Sequence, residues 1–232
     1  MNPPNSILSD DIVMTLGNAT RTPVMAVHGL YAIADSTWLA PDHLLAQVGA
    51  ALAGGAHWVQ YRDKHQNPQA RLRMARSLVR LCNEYCVPLI INDDPELALA
   101  CGAAGVHLGR DDADPAAARG LLGRDAIIGV SCYNELERAQ RAREQGADYV
   151  AFGRFFPSRT KPDAVPADLD LLQRAHAKID LPLVAIGGIT PENGAALVTA
   201  GAHALAVIEG LWGQPDARAA AARYVKLFNR NA

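Results

Sequence analysis

The sequence lacks most of what marks a nucleic-acid-binding, membrane or secreted protein. Its 232 residues carry 22 Lys+Arg against 24 Asp+Glu, a formal net charge of −2. A chain that grips nucleic acid or an anionic bilayer needs a basic face, and this composition holds no surplus to build one. No apolar run reaches the ~18 residues that span a membrane. Met1-Asn2-Pro3-Pro4 leads to Asp10-Asp11 instead of a basic segment and an apolar core. No secretory signal is therefore expected, and the expected compartment is the cytoplasm. The four cysteines, at 82, 86, 101 and 132, form no CxxC pair and no Cys/His group at zinc spacing. Reduced, mostly buried thiols follow from that. No GxGxxG fingerprint follows any strand-like run, which weakens a doubly wound open sheet as the fold.

What is present is a repeated punctuation. Half the residues are apolar and a fifth are charged, ordinary for a globular enzyme. A Gly-Ala step precedes a strand-like run at Gly55-Ala56, Gly146-Ala147 and Gly201-Ala202, and Gly102-Ala103 stands slightly further ahead of Val106. Glycine there fits the left-handed cap that ends a helix. At the other end of the loops stand Asn67-Pro68, Asp94-Pro95, Asp114-Pro115 and Thr190-Pro191, each a capping side chain before a proline at the first helical position. Asn134 with Glu137 resembles a capping box.

Strand, loop, helix and glycine thus alternate. Strands are predicted near 30–34, 58–62, 88–92, 105–108, 127–131, 149–152, 183–187 and 205–208. Helices are predicted near 42–53, 68–85, 95–101, 115–122, 134–145, 168–178, 191–200 and 216–229. Most of the strands are short Val/Ile/Leu-rich runs without alternation, as expected when both faces are buried. Eight units favour an α/β fold made of one (β/α)₈ TIM barrel, residues 29–232, behind a short N-terminal extension, residues 1–28. In such barrels the active site lies at the C-terminal ends of the strands. The polar, proline-bearing loop from Pro157 to Ala167 has the length of a lid.

The residues at those strand ends suit anions and a cation. Gln60, Arg62 and Lys64 share one side of an extended segment, since side chains alternate. Arg62 offers a planar fork and Lys64 a point charge, a pair suited to a pyrophosphate; a solvated rim is the plainer reading of that segment alone. Asp93 closes Leu89-Ile90-Ile91-Asn92, and Asp112 follows Val106-His107-Leu108-Gly109. Asp94 and Asp114 serve as caps before their prolines, which frees Asp93 to face the mouth and leaves Asp111 and Asp112. Either acid alone fits a cap or surface role; two at adjacent strand ends point to Mg²⁺, which takes one or two carboxylates plus phosphate oxygens. Ser131 has no His and carboxylate partner to make it a nucleophile and is assigned a phosphate hydrogen bond. Ser158, Arg159, Thr160 and Lys161 add hydroxyls and cations in the lid. Gly188, with the run Ile208-Glu209-Gly210, sits in the loops after strands 7 and 8, where phosphate-binding barrels hold a phosphate on backbone N–H groups. His107 reads as a packed, hydrogen-bonded histidine in preference to a general base.

Taken together, Gln60-x-Arg62-x-Lys64, Ile90-Ile91-Asn92-Asp93, Gly105-Val106-His107-Leu108-Gly109-x-x-Asp112, Gly129-Val130-Ser131, Phe152-Gly153 with Ser158-x-Thr160-Lys161, and Ala185-Ile186-Gly187-Gly188-Ile189 resemble the thiamine-phosphate synthase family. The resemblance runs in order from about Leu30 to Arg223. It implies a transferase that joins 4-amino-2-methyl-5-hydroxymethylpyrimidine diphosphate to a thiazole phosphate. By carry-over, Asp93 and Asp112 hold Mg²⁺. Arg62, Lys64, Asn92, Ser131 and Lys161 hold the diphosphate, with Gln60 toward the pyrimidine. Ser158, Thr160, Gly188, Ile208 and Glu209 hold the thiazole phosphate. Tyr61, Asp63 and Arg159, within the same motifs, are counted among the substrate contacts. Three departures stand out: Ser158 for a frequent threonine, Arg110 for a frequent glutamine, and Glu209 for a frequent serine. A carboxylate at 209 would repel a phosphate dianion. Expected partners are small molecules only, and no feature excludes a homo-oligomer. Two rival readings are a thiazole tautomerase-like paralogue and a non-catalytic phosphate-binding barrel; retention of the cations and both acids argues against them.

Overall fold

The computed structural model describes residues 27–159 and 165–229. Eight parallel strands close into a barrel in chain order: β1 (Gly29–Asp35), β2 (Trp58–Arg62), β3 (Leu89–Asn92), β4 (Gly105–Leu108), β5 (Ile127–Tyr133), β6 (Tyr149–Phe152), β7 (Leu183–Ile186) and β8 (Ala204–Val207). The helices described are α1 (Pro41–Ala53), α2 (Pro68–Glu84), α3 (Pro95–Cys101), α4 (Pro115–Leu122), α5 (Leu136–Glu144), α6 (Leu169–Lys178), α7 (Gly194–Thr199), α8 (Glu209–Trp212) and α9 (Ala217–Phe228). This is the barrel expected from the eightfold repeat. None of these helices is long and apolar enough to cross a membrane.

The strands are largely apolar because most of them feed two cores. Leu30, Ala32, Val59, Ile91, Val106, Ile128 and Val150 pack outward under the helices, while Tyr31, Ile33, Trp58, Ile90, Tyr149, Val184 and Ala206 fill the barrel. A side chain such as Ile91, wholly removed from water, contributes about 1.5–3 kcal/mol. Alternation along each strand therefore decides which residues reach the mouth.

The punctuation is mostly realised. Asn67, Asp94 and Asp114 accept backbone N–H bonds from Ala70, Leu97 and Ala116. Gly55, Gly102, Gly146 and Gly201 all take positive φ. Two expected starts differ. At Thr190-Pro191 the chain makes turns, and α7 begins only at Gly194, because Asn193 is drawn back to the amide of Thr190 and the carbonyl of Gly188. The Asn134–Glu137 capping box does not form: β5 runs on to Tyr133, and α5 starts after Glu135, which makes no side-chain cap.

The end of the chain holds its beginning. The α9 helix packs against α1 and β1. From α8, the Trp212 indole N–H donates to the carbonyl of Ile33 at 2.6 Å, one residue beyond the last β1–β8 pair, Ala32 with Val207.

Candidate active site

The C-terminal ends of the strands carry two adjoining cavities that share Asn92. One lies in the barrel mouth, bordered by Gln60, Arg62, His107, Ser131, Ile186 and Gly188 among others. The second lies between the β2, β3 and β4 loops, bordered by Lys64, Asp93 and Asp112. The acids and the apolar mouth are thus neighbours, with Asn92 on the wall between them.

In the second cavity the Asp93 and Asp112 carboxylates lie close enough to perturb each other, and Lys64 Nζ lies 2.8 Å from Asp93 Oδ2. Asp93 takes φ 64°, a left-handed conformation that aspartate tolerates better than most residues. The Asp112 carboxylate accepts the Gly109 amide at 2.6 Å. Burial and the hydrogen bond and charge of Asp93 push the Asp112 carboxyl above its ordinary range. Burial works to raise Asp93 too, but the Lys64 ammonium and the bond from Asp112 outweigh it, and that carboxyl is lowered. The pKa values of the two acids are thus pushed apart in opposite directions, the ordinary outcome when two like charges crowd one site. Among the described residues no cluster of three or more His, Cys, Asp or Glu side chains forms a full metal cage.

Arg62 is set by a residue that sequence reading passed over. Asp35, wholly buried at the end of β1, pairs with Arg62 Nη1 at 2.6 Å and also accepts from the amide and hydroxyl of Thr37. Gln60 points inward and donates to the Tyr31 hydroxyl at 3.0 Å. His107 is hydrogen-bonded through both ring nitrogens, to Tyr149 and to Ser131, each at 2.9 Å. The packed reading of this histidine fits that geometry.

Tyr61 and Asp63 make their hydrogen bonds within the protein. With Gln60 and Arg62 facing the barrel, alternation sends Tyr61 outward into the core under the helices. Its hydroxyl donates to Asp63 Oδ2, while Asp63 Oδ1 accepts the amides of His65 and Gln66. Asp63 borders the acidic cavity, but both its oxygens are committed to shaping the turn that carries Lys64.

At the far side of the mouth, Gly188 takes φ 61°, and a Cβ there would lie 2.3 Å from the carbonyl oxygen of Pro157. Its bare backbone is what lets the loop after β6 approach β7. Ser158, Ile208 and Glu209 also border this cavity. The Glu209 carboxylate is ion-paired with Arg159, whose Nε lies 2.7 Å from it and whose guanidinium sits 5.1 Å over the Trp38 ring. The repulsive charge at 209 is thus neutralised within the protein. Arg110 turns from the acids to pair with Glu135 and lie 4.7 Å over the Tyr133 ring. Thr160 and Lys161 lie outside the described residues, as does part of the expected lid. Arg154 and Tyr133 border the mouth without having been foreseen; both follow strand-like runs, which is the signal that marks them.

A closed eight-stranded parallel barrel with cations, paired acids and glycine loops at its C-terminal rim defines a (β/α)₈ enzyme that handles phosphorylated substrates. The sequence profile of the thiamine monophosphate synthase family matches residues 30–211, and the chain belongs to that family. The thiamine-phosphate synthase of Nitrosococcus oceani is 55% identical over 203 residues, covering 88% of this chain and 94% of its own. That of Nitrosospira multiformis is 51% identical, covering 91% and 90%. Among solved structures, thiamine phosphate pyrophosphorylase from Pyrococcus furiosus aligns with a TM-score of 0.80 at 33% identity, covering 87% of this chain and 96% of that one. The chain is accordingly a transferase of the thiamine-phosphate synthase type.

Proposed function

We propose that the two cavities hold the two halves of thiamine phosphate and join them. The first substrate is 4-amino-2-methyl-5-hydroxymethylpyrimidine diphosphate, with its ring in the barrel mouth beside Gln60 and its diphosphate crossing Asn92 toward Lys64. The second is 4-methyl-5-(2-phosphooxyethyl)thiazole, or its carboxylated form, with its phosphate near Ser158, Thr160, Gly188 and the first amides of α8 at Ile208–Glu209. The observation that carries this reading is the Asp93–Asp112–Lys64 cluster beside the mouth.

The donor set there fits magnesium. Two neighbouring carboxylates that repel each other favour a divalent cation between them, and they leave coordination positions for diphosphate oxygens and water. When bound, the ion supplies neutralisation of the charge that grows on the departing diphosphate. Arg62, fixed by Asp35, and Lys64 add fixed positive charge on the same group, and Ser131, Asn92 and Lys161 add hydrogen bonds. The methylene C–O bond breaks with its electron pair going to pyrophosphate, and the pyrimidine amino group stabilises the resulting cation. The thiazole nitrogen lone pair then forms the new C–N bond. No protein nucleophile is required; alignment and electrostatics carry the rate.

The reading treats residues 29–232 as one catalytic unit acting on small molecules in the cytoplasm. Its test is a coupling assay with both substrates, with and without Mg²⁺. Thiamine phosphate should form only with the metal, and Asp93→Ala or Asp112→Ala should cut turnover by about three orders of magnitude or more. Full activity in EDTA, or in both variants, refutes the mechanism.

A further inference from the structure

Five side chains from five strands form one unbroken hydrogen-bonded file through the barrel. Gln60 Nε2 donates to the Tyr31 hydroxyl at 3.0 Å, and that hydroxyl lies 2.8 Å from the hydroxyl of Tyr149. The Tyr149 oxygen is 2.9 Å from His107 Nδ1, and His107 Nε2 is 2.9 Å from Ser131 Oγ. The two ends, Gln60 and Ser131, both border the mouth cavity. The three middle members are buried, and the His107 ring stacks on Tyr149 with centroids 5.5 Å apart. The sequence makes room for this: a Cβ on Gly129 would fall 2.0 Å from the Tyr149 ring.

Counting protons gives the file a direction. Burial keeps both phenols neutral by raising their pKa values, so each has one proton to give. An amide nitrogen only donates, so the Tyr31 oxygen accepts from Gln60. Tyr31 also borders the mouth cavity, and the arrangement that keeps its proton inside the file sends it to Tyr149, its one other hydrogen-bond neighbour among the described residues. In that arrangement Tyr149 donates to His107 Nδ1, and the imidazole proton sits on Nε2 and points at Ser131. The Ser131 hydroxyl is left with its own proton to give away. In the opposite direction Ser131 would spend its proton on His107 and turn a lone pair toward the anion. Completing that reversed file also requires the Gln60 amide to flip.

We infer that Tyr31, Tyr149 and His107 are positioning residues that lock this direction. Gln60 then shows its carbonyl oxygen to an N–H of the heterocycle, and Ser131 offers an O–H to the departing anion. The two recognition events are thereby fixed by one another across the barrel. The ligands named at the two ends rest on the proposed function; the internal direction does not.

The test is ¹⁵N NMR of histidine-labelled protein without ligand, with the His107 signals assigned by their loss in His107→Gln. The expected result is a neutral Nε2–H tautomer. In Tyr31→Phe, which leaves the atoms touching His107 in place, Tyr149 no longer receives a proton and can accept one from the ring, so an Nδ1–H population should appear. Turnover should fall about tenfold, the scale of one lost hydrogen bond, with KM for either substrate nearly unchanged. Tyr149→Phe should likewise give mixed tautomers, and serves if Tyr31→Phe folds poorly. An Nδ1–H or doubly protonated ring in the unaltered protein overturns the inference, and so does a pure Nε2–H form in both variants. Absence of coupling activity with the expected tautomers would remove the proposed function and leave the file standing.

Discussion

Asp35→Asn isolates the ion pair that holds Arg62. The substitution keeps the shape of the side chain, and its Oδ1 can still accept from the Thr37 amide and hydroxyl. It replaces Oδ2, now 2.6 Å from the Arg62 guanidinium, with an NH₂ that points a second donor at a cation. Asp35 is wholly buried and the Arg62 side chain is 16% exposed. Breaking a buried pair from one side costs about 3–5 kcal/mol; the partial access of water to Arg62 favours the lower end, about 3 kcal/mol. For a chain of this size each kcal/mol moves Tm by about 2–4 °C, so a fall of about 6–12 °C is expected by calorimetry. A double variant with Arg62→Gln replaces the pair with neutral groups and should recover most of that stability, since neutral isosteres often match a buried ion pair. It should remain inactive, because the diphosphate has lost its planar cation. A melting temperature in Asp35→Asn within about 2 °C of the parent would refute the reasoning, as would a double variant no more stable than the single one.

Two further outcomes follow from other contacts. Arg159→Ala exposes the incoming thiazole phosphate to an uncompensated Glu209 and should raise its KM about tenfold, with the second change Glu209→Gln restoring it; steady-state kinetics in varied salt check this, and an unchanged KM in Arg159→Ala counts against the pairing. His57 and His203 both have lowered pKa values, chiefly from burial and secondarily from His28 and His176 respectively. The unfolded chain therefore binds protons at these sites before the folded one does. Stability should be full above the ordinary histidine value of 6.5 and fall as pH drops below it. His57→Gln should flatten the pH dependence of Tm between neutral and mildly acidic buffer, and an unaltered slope would sink this assignment.

The fold was legible because six of its eight strands, all but β1 and β5, were flanked by a signal with a local cause, a capping residue before proline or a glycine after a helix. The two missed helix starts have separate causes: Asn193 was claimed by the loop after β7, and β5 ran on to Tyr133, which left Asn134 in a turn ahead of α5. The site residues at strand ends were legible by type, and the acids do share a cavity. The burial of Tyr61 was legible too, since a strand that turns Gln60 and Arg62 inward must turn the residue between them outward. Asp35, Tyr31 and Tyr149 escaped notice. A tyrosine within a buried strand looks like packing, and its hydroxyl acquires meaning only when strands distant in sequence bring a second hydroxyl to 2.8 Å.

The Trp212 indole on the Ile33 carbonyl has a consequence for biogenesis. The seam between first and last strands needs β8, and the carbonyl just past it needs Trp212 of α8. A nascent polypeptide still threading the ribosome has therefore made most of its ladder yet owns two raw edges, each able to recruit foreign strands. Closure waits for β8 and α8, and variants cut short before Trp212 should aggregate during synthesis instead of yielding a weakened enzyme.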